Sequence, residues 1–128
     1  MLDHTIPSLP TDFPRHLLGI GDLPSLSATI PKGIDTFDSS YPTKAARHAV
    51  ALTSRGSVRL RSTKYKESFE PIDNDCSCFT CKHYTKAWLH HLFKAHEVSA
   101  HSLVTIHNLT YMVRFMNDYQ QAILEDQV

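Results

Sequence analysis

The sequence predicts a mixed α/β protein whose second half is held together by a bound metal ion. Residues 16–38 have the pattern of a strand, a helix and a second strand, and residues 83–124 carry two amphipathic helical patterns. All three cysteines lie within six positions. Strands alternating with helices are typical of a parallel sheet, and clustered cysteines indicate a metal site. We divide the chain into a first domain, residues 1–48, and a second, residues 49–128.

Length and composition limit the possible classes of protein. A chain of 128 residues is one domain or a piece of one. Thirteen basic and thirteen acidic residues cancel, so net charge gives no sign of a polyanionic partner. No run of about 18 apolar residues occurs, and the start MLDHTIPSLP lacks the charged-then-apolar pattern of a signal peptide. We therefore expect a cytoplasmic protein with reduced thiols and no membrane contact.

The first third of the chain predicts one βα unit and the following strand. Three prolines within the first 14 residues indicate an irregular or short helical lead-in. The apolar run His16–Gly21 predicts a buried strand. Asp22 can cap a helix that has Pro24 in its first turn, and residues 34–38 predict the next strand. Two strands joined through a helix are expected to pair in parallel.

The second part predicts a hairpin followed by two helices. Residues 49–53 and 57–61 flank the turn Ser54-Arg55-Gly56, which is a hairpin signal. Residues 83–97 and 103–124 have helical periodicity. We expect each helix to bury one apolar face. The faces comprise Tyr84, Trp88, Leu89, Leu92 and Phe93 in the first helix, and Leu103, Ile106, Leu109, Val113, Met116 and Ile123 in the second.

The three cysteines, Cys76, Cys78 and Cys81, have the spacing C-x-C-x-x-C. Three thiolates and one imidazole complete the tetrahedral set that Zn²⁺ prefers, and a site without an open position is structural. An odd cysteine count, with Cys76 and Cys78 too close to pair without strain, disfavours disulfides. Ordinary buried cysteines remain the alternative, but their clustering favours one structural zinc ion per chain.

The fourth ligand is less clear, because the chain has nine histidines. His107 follows the last cysteine after 25 residues. His83 and the pair His90-His91 lie nearer in sequence and could compete. We prefer His107, because a helix beginning near it could fold back onto the cysteine turn.

Several motifs in succession resemble one known family. They are LDHTIPSLP, PRHLLGIG, FDSSYPTKAARHA, GSVRLR, YKESFEPID and C-x-C-x-x-C-x25-H. Together they resemble the queuine tRNA-ribosyltransferases, also called tRNA-guanine transglycosylases, from about residue 2 to residue 124. The resemblance also supports His107 over the other histidines.

The resemblance implies an enzyme built on a (β/α)8 barrel with a zinc-binding insertion near its C-terminal end. Residues 1–48 would be the last strands and helix of the barrel, with the catalytic and tRNA-binding loop. Residues 49–128 would be the zinc-binding subdomain. Such enzymes exchange the guanine at the wobble position of tRNA for a 7-deazaguanine, preQ1 or queuine, in queuosine biosynthesis. An aspartate attacks the ribose and forms a covalent intermediate.

The resemblance also assigns residues. Asp38 would be the nucleophile, and the zinc ligands would be Cys76, Cys78, Cys81 and His107. The tRNA-contacting residues would be Gly19, Ile20, Gly21, Asp22, Leu23, Pro24 and Ser25, with Thr43, Lys44, Ala45, Ala46 and Arg47. The residues alone agree in part, since Asp38 ends a predicted parallel strand, where barrel enzymes keep their chemistry. A turn aspartate, solvated lysine and arginine side chains and ordinary turn glycines are the alternatives.

The chain departs from the family at three points. Ser39-Ser40 stand where the family has Cys-Val, and Lys44 stands where it has arginine, which removes a bidentate hydrogen-bonding fork. Only 75 residues precede Cys76, whereas a full barrel needs about 250. The family's guanine-binding segments and its second, acid/base aspartate have no counterpart here. We therefore expect the C-terminal part of a longer enzyme, inactive by itself and homodimeric in the full-length form.

Two other functions remain open at this stage. The chain could be a non-catalytic, zinc-stabilised tRNA-binding module or partner subunit. It could also be a free-standing zinc-finger-like binder of nucleic acid, although its neutral charge disfavours that function.

Overall fold

The computed structural model describes all 128 residues, which form two compact units. Residues 1–41 together with Val128 make the first unit, and residues 42–127 make the second. Short strands and helices occur in both, so the mixed α/β class is confirmed. The barrel, and the domain boundary between residues 48 and 49, stay predictions about the complete protein.

The first unit is built around a pair of short parallel strands. Its elements are α1 (Leu2–Thr5), a single 3-10 turn (Ile6–Ser8), β1 (His16–Leu17), α2 (Leu23–Thr29), a second 3-10 turn (Ile30–Lys32) and β2 (Thr36–Phe37). Strand β1 pairs with β2 in parallel, with His16 opposite Thr36 and Leu17 opposite Phe37. The predicted strand–helix–strand unit is confirmed, although each strand has only two residues. The predicted burial of the first strand is wrong, because His16 and Leu18 are exposed.

Helix α2 begins where the sequence predicts. The Asp22 carboxylate accepts a hydrogen bond from the Ser25 backbone N–H at 3.0 Å and so caps the first turn. Pro24 lies in that turn, where a missing N–H has no cost. Leu26 is buried, and Gly33, at φ +86°, ends the 3-10 turn that follows α2.

The second unit consists of a hairpin and a set of helices. The hairpin joins β3 (Val50–Ala51) to β4 (Val58–Arg59) in antiparallel pairing, as predicted. The remaining elements are α3 (Tyr41–Arg47), which starts at the boundary of the two units, a 3-10 turn (Thr63–Tyr65), α4 (Phe79–His83), α5 (Lys86–Lys94) and α6 (Ser99–Leu124).

The core of the second unit lies between the hairpin, α5 and α6. Its buried side chains are Ala46, Ala49, Ala51, Leu60, Ile72, Leu89, Leu92, Phe93, Ala100 and Val104. The helix predicted over residues 83–97 is confirmed as α5, but it is shorter, Lys86–Lys94, because the chain before it is extended at Tyr84. Trp88 is 47% exposed, so its predicted burial is wrong. The interior accepts Leu89, Leu92 and Phe93 and leaves the indole outside.

The predicted buried face of α6 is wrong at four of its six residues; of the other two, Leu103 packs against the core and Met116 is half-buried. Ile106, Leu109, Val113 and Ile123 are 40–61% exposed. The positions that do face inward are Ala100, Val104, His107 and Asn108. Small or hydrogen-bonded side chains allow α6 to approach α4 and the hairpin closely, whereas the larger apolar residues stay outside. No helix, not even the 26-residue α6, combines the length and hydropathy needed to cross a membrane.

Candidate metal centre and carboxylate site

The cysteine turn is built by the first turn of α4. Cys78 is the N-cap of this helix, and its sulfur accepts a hydrogen bond from the Cys81 N–H at 3.3 Å. The Cys76 N–H donates to the Asp73 carbonyl at 3.2 Å just before the helix. The Thr80 hydroxyl is buried and donates to the Leu103 carbonyl of α6 at 2.5 Å. The turn is thereby fastened to α6 through a residue that is not a ligand.

His107 of α6 lies directly against this turn. Its Nδ1 is 3.3 Å from the Cys81 sulfur and 3.6 Å from the Cys78 sulfur. One ligand atom from each of Cys76, Cys78, Cys81 and His107 lies within 4.8 Å of every other. The structure therefore brings together the four residues that the sequence singles out. The competing His90 is engaged elsewhere, with its Nδ1 2.7 Å from the Leu60 carbonyl.

The second ring nitrogen of His107 fixes the orientation of the imidazole. Nε2 is 2.8 Å from the Leu52 carbonyl oxygen, which can only accept, so Nε2 carries the proton. The lone pair of Nδ1 then faces the thiols. Burial lowers the pKa of His107 and keeps the ring neutral at neutral pH. A hydrogen bond from the distal nitrogen to a carbonyl is the usual support of a metal-binding histidine.

The pKa values of two of the thiols are raised, and no positively charged side chain stabilises their thiolates. Burial raises the pKa of Cys76, and it raises the pKa of Cys81 to about 12, with the neighbouring thiols adding to the shift. A divalent cation would supply the charge that stabilises the thiolates. Ligand atoms around tetrahedral Zn²⁺ are roughly 3.5–4 Å apart. The four ligand atoms here lie within 4.8 Å of one another, so they would need to move only slightly closer together to bind a four-coordinate metal.

Asp38 follows β2 and has an exposed side chain in the first unit. Its Oδ1 is 3.0 Å from His16 Nε2 and accepts the Gly19 N–H at 3.2 Å. These two hydrogen bonds, that of His16 first, hold the pKa of Asp38 below its ordinary value. The carboxylate is therefore ionised at neutral pH and open to solvent.

His16 was missed in the sequence analysis. The contact depends on the register that places His16 opposite Thr36, because Thr36 and Asp38 then share its face of the sheet. Parallel pairing was expected, but a two-residue strand gives no periodicity from which the register could be predicted.

Two glycines shape the turn beside Asp38. Gly19 has φ +70°, a backbone conformation that side chains with a Cβ rarely adopt. A Cβ added at Gly21 would collide with the Cβ of Ser39. Both glycines are therefore needed for the turn itself, and Gly19 also supplies an N–H to the carboxylate. The rest of the predicted tRNA segment, Ile20 to Ser25, continues into α2.

The other predicted tRNA segment, Thr43 to Arg47, forms most of α3. Lys44 and Arg47 are exposed, and they lie three residues apart on one face of the helix. Ala45 and Ala46 are buried and pack inside the second unit. The two cations are thus the side chains of this segment that are open to a polyanion, and their contact with tRNA stays a prediction.

Comparison with known proteins identifies the family. The family model described as "Queuine tRNA-ribosyltransferase" matches residues 1–128. The chain belongs to this family. The match covers the four metal-site residues and Asp38 in a single segment.

Curated queuine tRNA-ribosyltransferases agree with the family model. That of Protochlamydia amoebophila is 51% identical over 126 residues, covering 98% of this chain and 33% of the relative. Those of Chlamydia abortus and Chlamydia muridarum are 50% and 48% identical over 129 residues, covering 100% of this chain and 35% of each relative. The chain thus spans about a third of the length of the curated relatives it matches.

Proposed function

We propose that residues 1–128 act as the C-terminal part of a tRNA-guanine transglycosylase, which exchanges the wobble guanine of tRNA for a 7-deazaguanine in queuosine biosynthesis. One observation carries the proposal. The chain matches the queuine tRNA-ribosyltransferase family throughout, and the exposed, ionised carboxylate of Asp38 directly follows a parallel strand. The barrel of which β1 and β2 would be strands belongs to the same proposal.

Asp38 is the proposed nucleophile. One carboxylate oxygen forms a bond to the ribose anomeric carbon while the bond from that carbon to guanine breaks, and the electron pair leaves with the base. The departing guanine takes its proton from the second aspartate that the family resemblance implies outside these residues. In the second half, a ring nitrogen of the 7-deazaguanine attacks the same carbon and gives its proton to the second aspartate, which the first half left as a carboxylate, and Asp38 leaves as carboxylate. Exposure of Asp38 suits a substrate as large as tRNA.

We further propose that the metal group holds one structural Zn²⁺. Three thiolates and the Nδ1 of His107 would fill a four-coordinate shell and leave no position for substrate. An ion there would join the α4 turn to α6 in a unit whose core is small. Three free cysteines and a tRNA substrate suit the cytoplasm, which is the proposed location.

The proposed tRNA-contacting segments are the Gly19–Ser25 turn of the first unit and, separately, the α3 residues Thr43 to Arg47 of the second. Lys44 and Arg47 would meet phosphates or a base edge. The large exposed apolar side chains of α6 support a homodimer of the full-length protein, since exposed apolar surface is common at protein interfaces. These exposed residues are Ile106, Leu109, Val113 and Ile123.

The nucleophile is tested by covalent trapping in the full-length gene product. Incubation with an RNA anticodon stem-loop and a 7-deazaguanine should give a protein–RNA adduct that survives denaturing electrophoresis. Asp38→Asn should abolish the adduct and labelled-guanine exchange, while the control Asp35→Asn, on the same strand segment, should retain both. An undiminished adduct with Asp38→Asn would refute the proposal. Residues 1–128 alone should exchange no guanine, and turnover near that of the full-length enzyme would contradict this expectation.

A non-catalytic tRNA-binding or partner subunit is the second candidate. The observation that favours it is that Lys44 and Arg47 are exposed on α3, where they could bind tRNA without any chemical step. In this case the full-length gene product would bind the stem-loop equally well with and without the Asp38→Asn substitution, and neither protein would form an adduct. The trapping experiment therefore separates the two functions.

A further inference from the structure

The His16 ring bridges two groups on neighbouring strands of the first unit. Its Nδ1 lies 2.8 Å from the Thr36 hydroxyl, and its Nε2 lies 3.0 Å from Asp38 Oδ1. We propose that His16 is a positioning residue for Asp38, holding one oxygen of the carboxylate so that the other is presented for attack. This inference rests on the proposed nucleophilic role of Asp38.

Hydrogen-bond chemistry determines the tautomer of the His16 ring. An ionised carboxylate can only accept, so the nitrogen facing Asp38, Nε2, must carry a proton. In the neutral ring Nδ1 then accepts, and the Thr36 hydroxyl donates to it. A hydroxyl can equally accept from a protonated ring. Thr36 therefore fixes the ring orientation in both protonation states of His16.

The two donors of this site converge on one oxygen. Both the His16 Nε2–H and the Gly19 N–H reach Asp38 Oδ1, and Oδ2 receives neither. Electron pairs of Oδ1 are engaged in these hydrogen bonds, so Oδ2 is the better nucleophile. When the bond from Oδ2 to the anomeric carbon forms and the bond to guanine breaks, Oδ1 becomes the ester carbonyl and keeps both donors. When the ester breaks again, the same donors stabilise the returning negative charge.

We expect His16 to act on Asp38 mainly by fixing the orientation of the carboxylate, and less by attracting its charge. The side chains of His16 and Asp38 are 42% and 59% exposed, and solvent weakens the attraction of such a pair. The Asp35 carboxylate is engaged separately, because its Oδ2 accepts the Arg15 backbone N–H at 2.7 Å. The hydrogen bonds of His16 and Gly19 are thus the interactions that restrict the Asp38 rotamer.

Nuclear magnetic resonance of the 128-residue chain tests the hold on the carboxylate without any assay of activity. Long-range proton–nitrogen correlations should show the Nε2–H tautomer of His16. In His16→Phe the Asp38 carboxyl should titrate at a higher pH than in the unaltered chain. His16→Gln, whose amide nitrogen can replace Nε2, should restore the lower value. His4→Phe is the matched control on an exposed histidine of the same unit. An Nδ1–H tautomer, or identical Asp38 titration in the unaltered chain and His16→Phe, would overturn the proposal.

Steady-state kinetics of labelled-guanine exchange in the full-length gene product test the consequence for the reaction. His16→Phe should lower kcat about 10- to 100-fold with little change in KM, and His16→Gln should recover most of the loss. Equal kcat in His16→Phe and the unaltered protein would overturn the positioning role while the function of Asp38 stands. An active Asp38→Asn variant would instead remove the proposed function, and the magnetic resonance result would still decide whether His16 holds the carboxylate.

Discussion

His107 donates a hydrogen bond from Nε2 to the Leu52 carbonyl oxygen at 2.8 Å, and this contact determines which ring nitrogen faces the cysteines. The adjacent residue, Asn108, is also buried, and its side chain reaches the same segment. Its Oδ1 accepts from the Leu52 N–H at 2.9 Å. His107 and Asn108 of α6 therefore both hydrogen-bond to the backbone of Leu52, the residue after β3, and His107 also faces the metal group.

Asn108 should contribute to stability independently of the metal. Its amide nitrogen donates to the Pro42 and Val50 carbonyls at 3.0 and 2.9 Å, in addition to the bond that Oδ1 accepts. Asn108→Ala leaves these buried backbone groups unpaired, and we expect a loss of about 3–5 kcal/mol in the free energy of unfolding. Urea denaturation measures it, with the exposed Asn117→Ala as control. A loss under about 1 kcal/mol would contradict the assignment, as would loss of the metal.

Metal binding should release protons. The raised thiol pKa values of Cys76 and Cys81 keep both groups protonated at neutral pH in the metal-free chain, and thiolates are the ligands. His107 is already neutral and contributes none. We therefore expect at least the two protons of Cys76 and Cys81 to be released per Zn²⁺ at pH 7. Calorimetry in two buffers of different ionisation enthalpy measures this number, and a value near zero would contradict thiolate ligation.

The metal-free chain should have its own pH dependence. The lowered pKa of His107 favours the neutral ring in the folded state, so its contribution is present above pH 6.5, the ordinary value, and is lost as pH falls further. The raised pKa of Cys81 acts in the opposite direction, and its contribution is lost as pH rises from 9.0 towards about 12. Thermal unfolding across pH should therefore give a maximum between these limits. His107→Gln should remove the part of the acid-side loss that begins near pH 6.5, and an unchanged loss in that range would contradict the assignment.

The exposed face of α6 should mediate self-association. Val113 is 61% exposed near the middle of the face formed by Ile106, Leu109, Val113 and Ile123. Val113→Glu places a charge there and should convert a dimer to a monomer in light scattering. Phe69→Glu also places a charge on an exposed apolar residue, 76% exposed, but lies outside α6, so it should leave the dimer intact. A monomeric unaltered protein, or a dimer that tolerates Val113→Glu, would exclude this face as the interface.

Lys44 should contribute to tRNA affinity through charge alone. A single ammonium neutralises about one phosphate, so Lys44→Ala should weaken binding and reduce the slope of log affinity against log salt by about 1. Lys94→Ala, an exposed lysine on α5, is the control. Lys44→Arg restores the bidentate fork and should bind at least as tightly as the unaltered protein. Equal salt slopes for Lys44→Ala and the control would argue against a contact at α3.

The sequence predicted those features that depend on neighbouring residues. Asp22 and Pro24 lie within one helical turn, and the helix starts where they indicate. The cysteines lie within six positions of the sequence, so their cluster is visible in the chain itself. His107 is a different case, because spacing alone left other histidines open and the family resemblance was needed to choose it.

Features that depend on packing were predicted less well. Helix α6 has two faces that could be buried, and hydropathy favoured the one with Leu109 and Val113. The structure buries Val104, His107 and Asn108 instead, because the polar pair finds hydrogen-bond partners in the β3 segment. Periodicity counts apolar residues but cannot recognise a polar residue whose partners are more than 50 positions away.

The metal content of the purified chain tests the central claim most directly. Protein prepared without chelators, analysed by mass spectrometry of its elements, should contain one zinc per chain. His101→Ala, on α6 but outside the ligand group, should keep it. His107→Ala should lose the ion and about 4 kcal/mol or more of unfolding free energy. Absence of zinc from the unaltered chain, or unchanged zinc and stability in His107→Ala, would contradict the account.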